Sequence, residues 1–444
     1  MKDRRETGID WCRSRPRGGG RNSRVGVERF KMHVAIIGGG ISGLSLALNL
    51  QKRGISCHVF ERAPDIKELG VGITLLPHAM REFTALGVAD ELLVAGIENV
   101  ESCFFNRFGQ LIYKEPRGKL SGYKFPEVGI HRGRLHLILY RAALAKLTSE
   151  RISTNHTCAR VEQDDSAATI FFTETTTGRA LEPVHADVVI ACDGINSVIR
   201  KQFYPADDVA FAGINSWRGV TRRKPILTGR SYIRVGSILT GKIVIYPIID
   251  QVDDEGNQLI NWMAEIKQDT FEKNDWNKSG NLADFYSIYE GWRFDWLDVA
   301  DMIKTADFIL EYPMVDKDPV QRWTFGRVTL AGDAAHPMYP RGSNGAAQGA
   351  IDARTLADCL VANDDPRAGL KAYEAARLST TAKVVRMNRE HPPDFINIKV
   401  EQLVGDRPFA NLDDYISQHE LRELSEHYKR IAGFSVADVA GGQA

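Results

Sequence analysis

A glycine-rich stretch near the amino terminus has the residue types and spacing needed to hold a phosphorylated ligand. It reads GGGISG (38–43) and follows the apolar run 33–37. It fits the G-x-G-x-x-G pattern, whose glycines permit a tight turn and let a pyrophosphate approach the first N–H groups of a helix. Glu61 stands eighteen residues after Gly43, where a carboxylate can accept hydrogen bonds from ribose hydroxyls. The pattern predicts a dinucleotide site built from Gly38, Gly40, Ser42, Gly43 and Glu61.

A second stretch, AGDAAHPMYPRGSNG (331–345), follows the buried-looking run 328–330. Asp333 ends that expected strand, so its carboxylate can accept a hydrogen bond from a ribitol hydroxyl. The helix expected to start near Asn344 has few side chains in its first turn, so its backbone N–H groups can face a flat ring. The partial positive charge at the helix N-terminus favours negative charge on that ring. A reduced flavin is anionic at that ring edge, so the stretch favours FAD, with contacts from Gly342, Asn344, Gly345 and Ala346.

A third motif, ADVVIACDGINSVIR (186–200), has the pattern of a buried strand, a polar turn and a helix start. Two interpretations of Asp193 remain open. Its carboxylate either faces a cofactor or caps the following helix, as Asp does at many helix starts.

The three motifs in this order resemble those of the group A flavin monooxygenases, which have the fold of para-hydroxybenzoate hydroxylase. Ile130, His131, Arg132 and Leu135 resemble the Arg-x-x-Leu helix start of the same family. Further stretches, among them LGVGITLLPHA (69–79) and MYPRGSNGA (338–346), resemble its phenazine- and salicylate-hydroxylase-like members.

The resemblance implies an FAD that is tightly but non-covalently bound, with NADH or NADPH as a transient co-substrate. It implies that one oxygen atom of O2 enters an aromatic or heteroaromatic small molecule through a flavin C4a-hydroperoxide. It also implies that Glu61 and Arg62 hold the adenosine side and that Arg132 approaches the ribityl–pyrophosphate region. Asp193 would then lie near the pyrophosphate.

No acid–base pair can be identified from the sequence, because the flavin itself carries the chemistry in such enzymes. His78, Tyr246 and Arg341 are the candidates for a catalytic side chain, with His131 and His336 as further histidines. Arg218 and Arg341 are the cations that could pair with a substrate carboxylate. The predicted substrate pocket comprises Trp217, Arg218, Tyr246 and Pro337.

The elements that must position these residues indicate an α/β fold: a Rossmann-like FAD-binding domain interleaved with an antiparallel-sheet substrate domain, then a helical C-terminal tail. Residues 33–37, 44–52 and 57–60 predict a βαβ unit, and 132–149 predicts an amphipathic helix. Short alternating runs between 211 and 312 predict antiparallel strands. The expected divisions are a disordered basic leader (1–31), the FAD-binding domain (32–104, 129–210, 320–380), the substrate domain (105–128, 211–319) and C-terminal helices (381–444).

Composition limits the alternatives. The formal net charge is zero, which gives no reason to expect nucleic acid or a membrane surface as partner. The leader carries ten Lys and Arg against four Asp and Glu but no apolar segment typical of a secretion signal. The six cysteines are scattered without metal-ligand spacing, so we expect reduced thiols, no metal site and a cytoplasmic location.

We therefore expect a monomeric or homodimeric enzyme. Two alternatives stay open: a flavin reductase or dehydrogenase of the same fold without oxygen insertion, and a non-catalytic binding protein with an FAD-type fold.

Overall fold

The computed structural model describes residues 32–271, 278–390, 395–431 and 435–436. The predicted leader 1–31, together with Cys12 and Trp276, lies outside the described residues. The strands are, in chain order, β1 (His33–Ile37), β2 (Ser56–Phe60), β3 (Gly72–Leu75), β4 (Ile97–Asn99), β5 (Glu101–Phe105), β6 (Leu111–Pro116), β7 (Glu127–His131), β8 (Ile152–Ser153), β9 (His156–Gln163), β10 (Ala168–Glu174), β11 (Val184–Ala186), β12 (Val188–Ala191), β13 (Ala210–Arg223), β14 (Ser231–Ser237), β15 (Gly241–Ile249), β16 (Gln258–Lys267), β17 (Arg293–Phe294), β18 (Leu297–Asp298), β19 (Phe308–Asp316), β20 (Thr324–Phe325) and β21 (Val328–Leu330). The helices are α1 (Ile41–Lys52), α2 (Pro77–Leu86), α3 (Ala89–Ala95), α4 (Arg132–Leu147), α5 (Val198–Phe203), α6 (Tyr286–Tyr289), α7 (Val299–Lys304), α8 (Gly345–Ala362), α9 (Pro366–Glu390), α10 (Phe395–Val404) and α11 (Gln418–Ile431).

A six-stranded sheet carries the three sequence motifs at strand ends. Its order is β20-β21-β12-β1-β2-β8, and β1 pairs in parallel with both β2 and β12. Strand β1 is buried along almost its whole length, as expected for a central parallel strand with helices on its faces. The predicted strand 33–37 and the helix and strand that follow it are confirmed.

A seven-stranded sheet forms the second layer, in the order β19-β13-β16-β15-β14-β5-β6. Most of its strands pair antiparallel, as predicted for 211–312, but β14 and β5 run parallel. The expected boundary between the FAD-binding and substrate domains after residue 104 falls inside β5. All of β5 belongs with the seven-stranded sheet, because it pairs with β14.

One face of this sheet packs on short helices through Trp217, Trp262, Phe285 and Tyr289, all of which are fully buried. The opposite face contacts Val71, next to β3, through Val220, Val244 and Tyr246. Successive strand residues point to opposite faces, so Arg218 lies on that opposite face.

A small sheet, β3-β7-β4, joins the two parts. The backbone N–H of Gly72 on β3 donates to Asn261 Oδ1 on β16 at 2.7 Å. A Cβ on Gly129 of β7 would lie 2.6 Å from the Pro247 carbonyl oxygen, so only glycine permits this approach to β15.

The C-terminal helices cover the other end of the seven-stranded sheet. Ile396 and Val400 of α10 and Leu421 of α11 pack with Phe104 and Tyr113 of β5 and β6. The expected tail boundary at residue 381 falls inside α9, a 25-residue helix that runs from 366 to 390.

Candidate active site

In the loop between β1 and α1, some glycines are needed for packing inside the protein and another leaves space for a ligand. A Cβ on Gly43 would lie 1.9 Å from the Gly38 carbonyl oxygen, and one on Gly38 would lie 2.3 Å from the Cys192 carbonyl oxygen. Packing inside the protein therefore requires these two residues to be glycine. A Cβ on Gly40 would meet no atom within 4 Å. Gly40 thus faces open space at the N-terminus of α1, where a phosphate group can approach N–H groups.

The peptide of Gly39 is held from both sides. Its N–H donates to Glu61 Oε2 at 2.6 Å, and its carbonyl oxygen lies 2.6 Å from Nε2 of His136 on α4. The second oxygen of Glu61 accepts from the Ala63 N–H at 2.8 Å. Each carboxylate oxygen keeps a further lone pair for a ligand hydroxyl. The neighbouring Arg62 is exposed.

The contact between His136 and the glycine loop could not be predicted from the sequence. The position of His136 one turn after Arg132 on a predicted helix was visible, but its contact spans 97 residues of chain.

Asp193 binds the amino-terminal end of α5 with one oxygen and keeps the other free for another partner. Its Oδ2 accepts from the Val198 N–H at 3.0 Å, whereas the N-cap residue of α5 is Ser197, whose hydroxyl accepts from the Arg200 N–H at 2.9 Å. Its buried Oδ1 has no hydrogen-bond partner among the described residues. Burial raises the pKa of this carboxyl, against the opposing effect of Ser197 and the helix N–H groups.

Arg200 joins the second and third motifs. It is fully buried, donates from Nη1 to the carbonyl oxygens of Ala334 (3.2 Å) and Ala335 (2.7 Å), and pairs with Asp207 at 2.9 Å. Because the donors of a guanidinium have fixed directions, this residue sets the position of the turn that follows β21 relative to α5.

The turn after β21 presents Asp333 to a cleft. The preceding Gly332 has a left-handed φ of +57°, and the Asp333 side chain is exposed. Protein atoms packed around the cleft raise the pKa of Asp333, whereas His336 and Arg132 act to lower it. Arg132, the first residue of α4, is also exposed. A carboxylate and a guanidinium thus approach the same open space.

The loop before α8 contains two successive left-handed residues, Gly342 (φ +77°) and Ser343 (φ +57°). Gly345 and Ala346, the first residues of α8, are half-buried. Asn344 is buried and lies near His78 at the start of α2. Neither polar atom of its side-chain amide has a hydrogen-bond partner among the described residues, so both are available to a ligand.

His78 lies in the interior of this region. Burial, with a contribution from Arg81, lowers the pKa of His78 to about 4, although the contact with Asn344 opposes the shift. The imidazole is therefore neutral at pH 7. Such a side chain is a weak base, so the structure does not favour His78 as the group that deprotonates a substrate.

The face of the seven-stranded sheet that carries Arg218 contains the remaining candidates. Arg218 on β13 pairs in register with Met263 on one side and with Leu310 on the other. These three side chains are half-buried, whereas the flanking Val220 and Val244 are buried. An accessible patch therefore lies towards the β19 edge of this face, beside a buried apolar cluster.

Arg218 has a charge without a carboxylate partner in the part of the chain that the structure describes. Its guanidinium carbon lies 5.2 Å from the centre of the Tyr312 ring, and its buried Nε has no hydrogen-bond partner there. Arg341 also has a buried Nε without such a partner, in a loop turn that contacts β3.

Tyr246 lies beside this patch and stacks on Tyr232 with ring centres 5.0 Å apart. Burial and Tyr232 raise the pKa of Tyr246, although Arg218 opposes the shift. The phenol therefore remains protonated at neutral pH and can donate a hydrogen bond.

The predicted pocket residue Trp217 is on the other face. It is 1% exposed and stacks on Phe285 at 4.9 Å, so the structure does not bring it together with Arg218 and Tyr246. Pro337 is buried next to His336, and His131 approaches the Gly70 carbonyl oxygen through Nε2 at 3.0 Å.

These features fit a long dinucleotide that ends in a flat ring. The open space at Gly40, the free oxygen of Asp193 and the exposed Asp333 and Arg132 can hold its polar parts. A family model described as FAD binding domain matches residues 31–221 and 313–388. The chain belongs to the FAD binding domain family.

Relatives of this FAD-binding protein are hydroxylases. It is 36% identical over 362 residues to phenazine 1,6-dicarboxylic acid hydroxylase from Lysobacter antibioticus, covering 80% of this chain and 89% of the relative. It is 30% identical to 3-hydroxybenzoate 6-hydroxylase from Polaromonas naphthalenivorans, covering 84% and 90%. The protein is an FAD-dependent monooxygenase of the aromatic hydroxylase type, for which NAD(P)H is the typical co-substrate. Neither alternative drawn from the sequence receives support.

The fold agrees with solved structures. HpxO from Klebsiella pneumoniae, in complex with FAD and uric acid, matches with a TM-score of 0.72 at 21% identity, covering 95% of this chain and 99% of that one. This likeness confirms the α/β fold predicted for the FAD-binding protein. No described helix is long and apolar enough to cross a membrane, and the described residues contain no cluster of three or more His, Cys, Asp or Glu placed for a metal ion.

Proposed function

We propose that this protein inserts one oxygen atom from O2 into a small planar aromatic or heteroaromatic carboxylate. Two of its relatives are named for substrates that carry carboxylates, phenazine 1,6-dicarboxylic acid and 3-hydroxybenzoate. The observation that carries the proposal for this chain is the unpaired guanidinium of Arg218 on the accessible patch.

A half-buried cation without a counter-charge is unfavourable unless a ligand supplies one. Arginine binds a carboxylate through two parallel hydrogen bonds in a fixed plane. The neighbours of Arg218 in register, Met263 and Leu310, offer apolar contact to the ring that carries the carboxylate. The patch therefore suits a flat molecule with one charged end.

The cofactor completes the site from the other side. FAD, when bound, supplies the redox chemistry that accepts a hydride from NAD(P)H and activates O2. The chain orients it: Gly40, with the α1 N-terminus behind it, faces the pyrophosphate, and Glu61 and Arg62 face the adenosine. The remaining cofactor contacts that we propose are Gly38, Ser42, Gly43, Arg132, Asp193, Asp333, Gly342, Asn344, Gly345 and Ala346.

Within that list the residues act in different ways. Gly38 and Gly43 act by close packing that shapes the loop, whereas the unpartnered amide of Asn344 can hydrogen-bond to the ring. Asp333 and Arg132 act directly, as acceptor and donor to the ribityl chain.

Protons and water are controlled by the patch itself. The neutral phenol of Tyr246 can donate a hydrogen bond to a substrate oxygen, and Arg341 can neutralise a second anionic group. The apolar side chains of Met263 and Leu310 in this patch exclude water, which limits the unproductive consumption of activated oxygen.

The division of the chain follows from this arrangement. We assign 32–100, 129–210 and 320–390 to FAD binding and 101–128 with 211–319 to substrate binding, so that β5 stays with its partner β14 and α9 stays whole. We also propose a monomer or homodimer located in the cytoplasm, since the described cysteines are all free thiols.

The test compares Arg218→Met with Arg222→Met. Both residues lie on β13, but Arg222 is exposed and pairs with Asp307 at 3.4 Å. Salicylates, hydroxypyridine carboxylates and phenazine carboxylates are assayed beside their amides by substrate-stimulated NADH oxidation. We expect Arg218→Met to raise KM for the acids about tenfold to a hundredfold, with little effect on amides or FAD content. An equal effect on acids and amides, or an equal effect of Arg222→Met, would contradict the proposal.

A further inference from the structure

Asp352 is a fully buried carboxylate to which no role follows from the sequence motifs. It lies on α8, two turns after the helix begins at Gly345. Three donors converge on it, two from the turn after β21 and one from α9. Such a convergence needs explanation, because a buried carboxylate is stable only when its oxygens are fully satisfied.

The contacts divide between the two oxygens. Oδ2 accepts from the Gly332 backbone N–H at 3.0 Å and lies 2.5 Å from His336 Nε2. Oδ1 accepts from Arg377 Nε on α9 at 2.8 Å. Arg377 in turn donates from Nη2 to Gln348 Oε1 at 2.6 Å, one turn before Asp352 on α8.

The charges agree with this geometry. Burial raises the pKa of a carboxyl, but His336 and Arg377 outweigh that effect and hold the pKa of Asp352 well below its usual range. Asp352 is therefore ionised and can accept all three hydrogen bonds. An asparagine offers one acceptor oxygen and an NH2 group that would oppose a donor.

The consequence concerns the two parts of the cofactor site. Gly332 immediately precedes Asp333, and α8 begins with the residues assigned to the flat ring. We propose that Asp352 is a positioning residue that fixes the turn bearing Asp333 to helix α8, so that the ribityl-binding carboxylate and the N–H groups facing the ring keep one relative geometry. This inference rests on the proposed placement of FAD.

The chain between Asp333 and Gly345 does not fix their relative position, so a contact such as that of Asp352 is needed. Asp333 and Gly345 are joined by a loop that contains two prolines and two left-handed residues, so local chain geometry alone does not set their distance. The carboxylate of Asp352 closes this loop from inside the protein. Arg377 extends the connection to α9.

The experiment measures FAD affinity of Asp352→Asn by quenching of flavin fluorescence, and the midpoint potential of the bound flavin at saturating FAD. Glu115→Gln is the matched control. Glu115 is also buried, forms an ion pair with Lys429 at 3.0 Å and accepts a hydrogen bond from the Ser425 hydroxyl at 2.6 Å, but it lies on β6 under the C-terminal helix α11.

We expect Asp352→Asn to weaken FAD binding about tenfold to a hundredfold and to lower the flavin midpoint potential, because the positive end of α8 no longer faces the ring squarely. Glu115→Gln is expected to lower the melting temperature without changing either quantity. If Asp352→Asn does not fold, two other variants replace it. Arg377→Gln leaves both contacts between Asp352 and the turn 332–336 in place, whereas His336→Ala removes one of them. Arg377→Gln should therefore shift the potential less than His336→Ala, and equal shifts would overturn the inference.

Wild-type FAD affinity and potential in Asp352→Asn would overturn the inference, as would equal losses in Glu115→Gln. A wild-type protein that binds no FAD would instead overturn the proposed function.

Discussion

Arg132 and Asp333 lie within electrostatic range of each other, and both are exposed, but they do not form an ion pair in the described structure. Opposite charges that approach without contact leave room for a ligand that bridges them. A ribityl chain can donate hydroxyl groups to the carboxylate and accept from the guanidinium. We therefore propose that this pair marks the middle of the cofactor site.

The first prediction concerns Asp333. Asp333→Ala should leave the protein folded but largely colourless, because the exposed carboxylate contributes a charge-assisted hydrogen bond to the ribityl chain and little to the core. Such a bond is worth about 2 kcal/mol. The flavin-to-protein ratio after gel filtration measures the effect, and Asp318→Ala, an exposed carboxylate paired with Arg389, is the control. Unchanged flavin occupancy in Asp333→Ala would refute the assignment.

The second prediction uses the contrast within the glycine loop. Gly40→Ala should leave the melting temperature of the FAD-free protein unchanged, since its Cβ meets no protein atom within 4 Å, yet it should weaken FAD binding by filling the pyrophosphate space. Gly43→Ala should destabilise the fold itself, because its Cβ would lie 1.9 Å from the Gly38 carbonyl oxygen. Differential scanning fluorimetry with and without FAD separates the two effects. A Gly40→Ala protein that binds FAD normally would place the pyrophosphate elsewhere.

The third prediction concerns pH. The pKa of His78 is lowered to about 4 in the folded protein, whereas an unfolded histidine titrates near 6.5. Between these values the unfolded state binds more protons, so the free energy of unfolding must fall as the pH falls from 6.5 towards 4. The contribution at pH 5 is about 2 kcal/mol.

Urea unfolding of wild type and His78→Gln at pH 7 and pH 5 measures this contribution. The variant should lose less stability on acidification than wild type. His58 gives a parallel case, because burial lowers its pKa to about 4 as well, and His58→Gln should show a similar reduction. Identical pH dependence in wild type and His78→Gln would show that His78 is not titrating as described.

The sequence was most informative where local pattern and chemistry coincide. The glycine loop, the strand β1 and the helix α1 follow from short-range rules: apolar runs, glycine spacing and a helix start. The motif around Asp333 could be predicted for the same reason, because strand, turn and helix follow one another within about twenty residues.

Features that depend on distant contacts could not be predicted. Strands β3, β7 and β4 are short and are held together by pairing between residues that are distant in the chain. The place of β7 against β15 depends on a glycine that allows close approach. The roles of His136 and Asp352 arise from partners that are remote in the chain. Neither residue type nor spacing indicates such contacts.

The expected grouping of Trp217 with Arg218 could have been revised from the sequence alone. Trp217 and Arg218 are adjacent on a strand, and adjacent strand residues point to opposite faces. Only one of them could line the substrate pocket. Trp217 packs in the apolar cluster formed with α6 and α7, so Arg218 lies on the opposite face of the sheet.

The most direct test of the whole account is the source of the oxygen in the product. The FAD-loaded enzyme is supplied with NADH, 18O2 and the aromatic carboxylate that most stimulates NADH oxidation, and the product is analysed by mass spectrometry. We predict a hydroxylated carboxylate that carries one 18O atom, formed in near-stoichiometric amount with the NADH consumed. NADH consumption that yields only hydrogen peroxide, with no labelled product from any carboxylate of the panel, would contradict the account.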